Sequence, residues 1–111
     1  MTQGLRTIIY PVTDIDRARA LFRALLGADP YTDAPYYVGF RTAGQEIGLD
    51  PAGHRHGMTG YWQVQDIRAS LQSLLEAGAK AIEDVRDVGH GRLIASVRDP
   101  DGNVIGLMQS S

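Results

Sequence analysis

The sequence has no cysteine among its 111 residues, which excludes disulfide bonds, thiol nucleophiles and thiolate metal ligands. It also lacks a basic block: 11 lysines and arginines stand against 13 acidic residues, for a formal net charge of −2. Such a surface does not favour a nucleic acid or an anionic membrane as a partner. Neither a signal peptide nor a membrane-length apolar run is visible, so we expect a cytoplasmic protein.

Two further observations concern catalysis and size. No nucleophile elbow and no Ser-His-Asp ordering is visible, so covalent catalysis has no support in the sequence. The chain is long enough for one domain with a real core, and 43% of its residues are hydrophobic. A domain this small leaves sheet edges and apolar faces that one chain does not cover, so we expect a homodimer.

A tight turn is predicted near the C-terminus, in the stretch Asp99-Pro100-Asp101-Gly102-Asn103. Proline fixes one φ angle, the next three residues tolerate positive φ, and residues 104–108 read as the following strand. The segment 44–49 matches the segment 102–107 at four of six positions. We expect Gly44 and Gly102 to have positive φ or to lie in crowded hairpins, because each precedes a strand after a polar turn.

Other segments repeat in the same order, which indicates a duplicated unit. Residues 12–15 (Val-Thr-Asp-Ile) have a counterpart in 64–67 (Val-Gln-Asp-Ile), and the Gly-Ala pair at 27–28 has one at 78–79. The three pairs of segments are separated by 52, 51 and 58 residues. Each unit reads as a strand, a helix and a run of strands. We place the first unit at about residues 5–50, a linker at about 51–58 and the second unit at about 59–109.

The predicted helices are amphipathic and begin at aspartates. Asp14 or Asp16 can accept the first amide hydrogens of the first helix, and Asp66 those of the second. Gly27 and Gly78 are expected to end them. One face of the first helix carries apolar residues at helical spacing, namely Ile15, Ala18, Leu21, Phe22, Leu25 and Leu26. Between this helix and a strand predicted at 36–41, prolines at positions 30 and 35 indicate a break in the chain.

A duplicated βαβββ unit of this size resembles the vicinal oxygen chelate superfamily, which includes glyoxalases, extradiol dioxygenases and bleomycin- or fosfomycin-resistance proteins. The residues that carry the resemblance are 12–16 (Val-Thr-Asp-Ile-Asp), 25–27 (Leu-Leu-Gly) and 99–103 (Asp-Pro-Asp-Gly-Asn). The likeness covers nearly the whole chain. It implies an α+β fold in which two tandem βαβββ modules form a curved, cup-shaped mixed sheet with the helices on its convex side.

The resemblance also implies where a metal would be bound, and this sequence departs from the pattern there. The superfamily's metal enzymes carry His or Gln seven residues before the strand-end Asp, and Glu four residues after the Gly-Asn turn. The matching positions here are Thr7, Gly48, Thr59 and Gly106. Glycine has no side chain, and a neutral threonine hydroxyl is a weak donor to a divalent metal. We therefore expect no metal at the usual site and no cofactor.

The histidines are the other candidate metal ligands. His54 and His56 could point the same way in an extended segment, but they lie in a glycine-rich connector, where a solvated linker is the plainer interpretation. His90 lies between glycines in a predicted hairpin, where it could contact a ligand or face solvent. The roles of all three stay open.

Strand alternation predicts which side chains line the concave face of the sheet. If Ile8, Tyr10 and Val12 pack under the helix, their neighbours face the other way, and the same parity applies in the second unit. The predicted ligand-binding residues are Thr7, Ile9, Glu46, Tyr61, Gln63, Arg92 and Met108. Glycine at positions 48 and 106 favours open space there. This mixture is typical of a small-molecule site, although the same residues could fill a core or a subunit interface.

Three functions fit these observations. The leading interpretation is a metal-independent protein that binds a small organic molecule in the concave sheet, as the drug-sequestering members of the superfamily do. The second is a lyase, isomerase or dioxygenase whose metal is held by unconventional residues such as Glu46, Asp50 or His56. The third is a structural or regulatory subunit whose cup is filled by side chains.

Overall fold

The protein has an α+β fold, seen in a computed structural model that describes residues 2–52 and 57–110. Its contacts divide the chain into two units. We call Arg6–Thr59 module one, and Met1–Leu5 together with Gly60–Ser111 module two. The elements follow one another as strand, helix and three strands, and then repeat that order. The predicted fold class and the duplicated βαβββ order are therefore confirmed.

Eight strands and two helices make up the described part of the chain. In chain order they are β1 (Thr2–Pro11), α1 (Ile15–Leu26), β2 (Thr32–Ala34), β3 (Tyr37–Thr42), β4 (Gln45–Asp50), β5 (Thr59–Val64), α2 (Ile67–Glu76), β6 (Lys80–Asp87), β7 (Leu93–Arg98) and β8 (Val104–Gln109). Neither helix within 2–52 or 57–110 is long and apolar enough to cross a membrane.

The two modules have the same strand order. Module one is arranged β2-β3-β4-β1, with β1 parallel to β4 and the other neighbours antiparallel. Module two is arranged β5-β8-β7-β6, with β5 parallel to β8 and the other neighbours antiparallel. The first and last strands of each module are thus adjacent. Strands β4 and β8, whose sequences match, take equivalent positions in the two modules.

Each helix packs on one face of its own module's sheet. The core of module one is formed by Ala18, Val38, Phe40, Ile47 and Leu49, with Ile8, Tyr10, Val12, Ile15, Phe22 and Leu26 packed against them. The core of module two is formed by Val64, Ile67, Leu71, Ala95, Val97 and Leu107. The predicted packing of Ile8, Tyr10 and Val12 under the helix is confirmed. The alternate residues of each strand therefore lie on the face opposite the helix.

Both helices begin at predicted aspartates. The first ends at the predicted Gly27, whereas α2 ends one residue earlier than predicted, with Ala77 as its C-cap before Gly78. The Asp14 carboxylate accepts a hydrogen bond from the backbone N–H of Arg17 at 3.1 Å, so Asp14 rather than Asp16 is the cap of α1. Gly27 ends that helix in the left-handed region, with a φ of 67°. Asp66 caps α2 in the same way, through the N–H of Ala69 at 3.1 Å.

Two features differ from what the sequence pattern indicated. Residues 32–34 form the short strand β2, which pairs with β3, although prolines 30 and 35 suggested a break. Both prolines lie outside the strand, so neither has to donate a hydrogen bond between the strands. In addition, Leu21 and Leu25 are 64% and 74% exposed, although their spacing groups them with the buried face of α1. The sheet covers only part of that apolar face.

Both predicted glycine turns have the expected backbone geometry. The β3–β4 hairpin has two loop residues, Ala43 and Gly44, with φ of 50° and 78°. Positive φ at both positions is the signature of a type I′ turn. Gly102 has a φ of 88°. In that turn the Asp99 carboxylate accepts hydrogen bonds from the N–H of Asp101 at 2.9 Å and the N–H of Asn103 at 2.8 Å.

Candidate functional site

The face of module one's sheet opposite α1 carries aromatic and polar side chains. The strand register sets Thr7 beside Glu46 across β1 and β4, and Arg41 beside Glu46 across β3 and β4. Gly48 lies between Ile9 on one neighbouring strand and Gly39 on the other. We use the name module-one face for Thr7, Ile9, Tyr31, Tyr37, Gly39, Arg41, Glu46 and Gly48.

A glycine pair at the centre of this face makes room for one aromatic ring. A β-carbon added to Gly39 would lie 3.0 Å from Cε2 of Tyr37, and one added to Gly48 would lie 2.7 Å from Cε1 of the same ring. The contact at Gly48 is closer than real β-carbons come to other atoms, and the contact at Gly39 is tighter than almost all of theirs. The paired glycines therefore allow the Tyr37 ring to lie across two strands.

The phenol of Tyr37 is directed at an acidic side chain. Its hydroxyl donates a hydrogen bond to Oε2 of Glu46, and the pair is partly buried. On β1, the register partner of Glu46 is Thr7, which is buried. A carboxylate with a phenol donor on one side and a buried hydroxyl residue on the next strand is a polar centre on an otherwise apolar and aromatic face.

A second aromatic residue lies beside this polar centre, and a cationic side chain packs against its ring. The guanidinium carbon of Arg41 lies 4.0 Å from the centroid of the Tyr31 ring, a cation–π contact. The Tyr31 backbone N–H donates to the carbonyl of Gly39 at 2.9 Å, which fixes the start of this segment against β3. Tyr31 is 45% exposed and Arg41 is also exposed. The rim of the module-one face therefore offers an accessible ring and a positive charge.

The corresponding face of module two is filled by buried side chains. A β-carbon at Gly106 would lie 2.5 Å from Cδ1 of Tyr61 and 2.8 Å from the carbonyl oxygen of Gly60. Tyr61, Met108 and Ser96 are 7%, 5% and 4% exposed. The expectation of open space at the two strand-centre glycines is wrong. Each glycine is covered by a tyrosine ring, Tyr37 at Gly48 and Tyr61 at Gly106.

The seven residues predicted to bind a ligand fall into separate sets. Thr7, Ile9 and Glu46 belong to the module-one face, while Tyr61, Gln63 and Met108 share the face of module two opposite α2. Arg92 immediately precedes β7, in the hairpin that joins it to β6. The exposed His90 lies in the same hairpin with a φ of 57°, whereas His54 and His56 lie outside the described residues.

The residues at the superfamily's metal positions do not fit a metal ion. Thr7 and Thr59 supply only hydroxyls, and the latter donates to the carbonyl of Gly57 at 3.3 Å. The glycine positions are covered by tyrosine rings. Within 2–52 and 57–110, no group of three His, Cys, Asp or Glu residues could hold a metal. Glu46 and Asp50 occupy opposite ends of β4, about 13 Å apart along the strand, so they do not form a joint site.

Sequence reasoning missed four members of the module-one face: Tyr31, Tyr37, Gly39 and Arg41. The alternation of Val38 and Phe40 toward the helix already implied that residues 37, 39 and 41 face the other way. That signal could have placed Tyr37 and Arg41 beside Glu46. The position of Tyr31 follows only from the unpredicted strand β2 and its pairing with β3.

A family model described as "Glyoxalase/Bleomycin resistance protein/Dioxygenase superfamily" matches residues 4–107, nearly the whole chain. No curated protein sequence matches the chain at a significant level. The fold is also found in solved structures of low sequence identity. One is a glyoxalase/bleomycin resistance protein/dioxygenase superfamily member from Vibrio splendidus, with a TM-score of 0.73, 19% identity and full coverage of both chains.

Two further structural neighbours are epimerases. The methylmalonyl-CoA epimerase of Mycobacterium tuberculosis has a TM-score of 0.75 and 18% identity, with coverage of 99% of this chain and 89% of that one. A variant of the methylmalonyl-CoA epimerase of Streptomyces coelicolor, in complex with 2-nitronate-propionyl-CoA, has a TM-score of 0.77 and 14% identity, with coverage of 100% and 96%. At these identities the likeness shows a common fold and nothing about the reaction.

Proposed function

The chain belongs to the glyoxalase/bleomycin resistance protein/dioxygenase superfamily, and we propose that it binds a small organic molecule at the module-one face without a metal ion. The observation that carries this proposal is the Tyr37–Glu46 pair, which stands beside the metal-ligand position Thr7. A carboxylate and a phenol hydroxyl can form hydrogen bonds with the polar groups of an organic molecule.

The chemistry of the face indicates the kind of ligand. The exposed Tyr31 ring can stack on a flat molecule, and Arg41 can attract an anionic or carbonyl group at its edge. The Glu46 carboxylate can accept a hydrogen bond from an N–H or O–H of the same molecule. We therefore propose a planar molecule that carries both an acceptor or anionic group and a hydrogen-bond donor.

A second candidate is a structural or regulatory subunit that binds no small molecule. The observation that favours it is the tyrosine ring over each strand-centre glycine, because these rings occupy space that a deep ligand would need. The two candidates differ in one measurable property. A ligand that binds only the native state must raise the midpoint of thermal unfolding, whereas a filled face gives no such response.

The experiment is a thermal-unfolding screen in the presence of EDTA, with planar acids and phenols set against aliphatic compounds of similar size. We expect stabilisation by a subset of the planar compounds, amounting to about 2.7 kcal/mol at a hundredfold excess over Kd. Arg41→Ala should weaken that response, and Arg68→Ala, which removes an exposed arginine from α2, is the matched control. Stabilisation only after a divalent metal is restored, or none by any compound, would contradict the proposal.

A further inference from the structure

Arg41 and Glu46 are register partners on the module-one face, but each charged group contacts a tyrosine. The β-carbons of such partners are about 5 Å apart, close enough for an arginine and a glutamate to form an ion pair. The Arg41 guanidinium instead lies over the Tyr31 ring, and the Glu46 carboxylate accepts from the Tyr37 hydroxyl. Among the described residues, no ion pair joins the two. Two opposite charges therefore lie near each other on this face without pairing.

The position of the Arg41 guanidinium leaves it able to bind an anion. Its carbon lies 4.0 Å from the Tyr31 centroid, so the ring covers one side of the group, and N–H donors that point away from the ring can bind both oxygens of a carboxylate. The ring itself is held against β3, because a β-carbon at Gly39 would lie 2.9 Å from its Cε1 atom. Tyr31 therefore orients the guanidinium in advance of binding.

The Glu46 carboxylate can bind a cation at the same time. The Tyr37 hydroxyl donates to Oε2, and a carboxylate has about four acceptor positions on its two oxygens. An ammonium group forms stronger hydrogen bonds with a carboxylate than a neutral donor does. A ligand that brought only an anion to Arg41 would set its charge near that of Glu46. A ligand that also carries an ammonium satisfies both groups.

We propose that the ligand of the module-one face is an aromatic α-amino acid, an inference that rests on the function proposed above. Its carboxylate accepts from Arg41 and its ammonium donates to Glu46. Its ring, the planar part of the molecule, packs against Tyr31, which is 45% exposed. Because the two protein charges lie on register partners, the two ligand charges must also be close together, as they are when one α-carbon carries both. The opposite charges of the face then meet their complements.

The first experiment compares ligands that differ by one charged group. Isothermal titration calorimetry of the full chain in EDTA uses L-tryptophan, L-tyrosine and L-phenylalanine as probes. Each is set beside the amine that lacks its carboxylate and the acid that lacks its ammonium. We expect at least one amino acid to bind at least about tenfold more tightly than both of its analogues.

The outcomes separate this inference from the function on which it rests. An acid analogue that binds as tightly as its amino acid would overturn the role of Glu46, yet metal-free binding of a planar acid would stand. An amine that binds as tightly would overturn the role of Arg41. If none of the three amino acids binds, the inference is wrong, while the proposed function is decided by the wider thermal screen.

The second experiment assigns the two charges to their residues. Glu46→Gln keeps a hydrogen-bond acceptor without the charge, and we expect it to bring the Kd of the amino acid to within about twofold of that of the acid analogue. Arg41→Gln should likewise remove the advantage over the amine. Glu76→Gln and Arg68→Gln, at exposed positions of α2, are the matched controls and should leave every Kd unchanged. Circular dichroism establishes that the variants are folded, and the ligand comparison on the unaltered chain does not depend on them. Discrimination that survives in folded Glu46→Gln and Arg41→Gln would overturn the proposal.

Discussion

The hydroxyl of Tyr37 donates a hydrogen bond to the Glu46 carboxylate, while the ring of the same tyrosine lies over the paired glycines Gly39 and Gly48. One side chain thus fills the space that two missing β-carbons leave and also orients the acidic group of the module-one face. This arrangement links the packing of the sheet to the chemistry that we assign to it.

Removing the hydroxyl group of Tyr37 should lower the free energy of unfolding. Tyr37→Phe keeps the ring over the glycines but leaves the partly buried Glu46 carboxylate without this donor, so we expect a loss of about 1 kcal/mol in urea unfolding. Tyr36→Phe is the matched control, because Tyr36 is 75% exposed and its hydroxyl should contribute little. Equal stability of the two variants would show that the Tyr37–Glu46 bond does not stabilise the fold.

Adding a methyl group at Gly106 should also destabilise the protein, because the structure has no open space at that position. The new β-carbon would meet the Tyr61 ring and the carbonyl oxygen of Gly60, and a backbone atom cannot move aside cheaply. We expect Gly106→Ala to lose about 1–3 kcal/mol. Combining it with Tyr61→Ala should cost less than the sum of the two single losses, and strict additivity would contradict the packing described.

A residue that adopts positive φ more readily should stabilise the β3–β4 hairpin. Ala43 adopts a positive φ of 50°, which costs an alanine energy and which asparagine tolerates well. Ala43→Asn creates the Asn-Gly pair that type I′ turns prefer, and we expect it to raise the free energy of unfolding by about 0.5–1 kcal/mol. Gly44→Ala should act in the opposite direction, since it places a β-carbon at a φ of 78°. A destabilised Ala43→Asn would refute the turn assignment.

Acid should weaken the turn before β8. Hydrogen bonds from the side chain and then the backbone of Asn103 hold the pKa of Asp99 below its ordinary value. A lowered folded-state pKa stabilises the protein above the unfolded pKa, and this contribution is lost as pH falls through the folded value. The melting temperature of the wild type should exceed that of Asp99→Asn at neutral pH, and the difference should shrink below about pH 4. A difference that is constant with pH would contradict this account.

Local chemistry explains why much of the fold was predictable from the sequence. The caps Asp14 and Asp66, the helix end at Gly27 and the positive φ of Gly44 and Gly102 each depend on a few neighbouring residues. Strand alternation likewise identified the faces of β1 and β4, because side-chain direction follows from position in the strand alone.

The remaining features depend on how separate strands and helices come together. The Tyr37 ring covers Gly48 only because β3 and β4 pair in the register that sets Gly39 opposite it. A glycine in the sequence therefore suggests open space, although in the structure a side chain from the neighbouring strand fills that space. The exposure of Leu21 likewise depends on the width of the sheet beneath α1, which helical spacing alone does not reveal.

The central claim is that the module-one face binds a small planar molecule without a metal. The measurement that tests it most directly is amide chemical-shift mapping of the isotope-labelled protein, titrated in EDTA with the best compound from the thermal screen. We predict saturable shifts centred on Tyr31, Tyr37, Arg41 and Glu46, and their loss in Arg41→Ala but not in Arg68→Ala. Shifts confined to module two, or binding that appears only when a divalent metal is added, would contradict the claim.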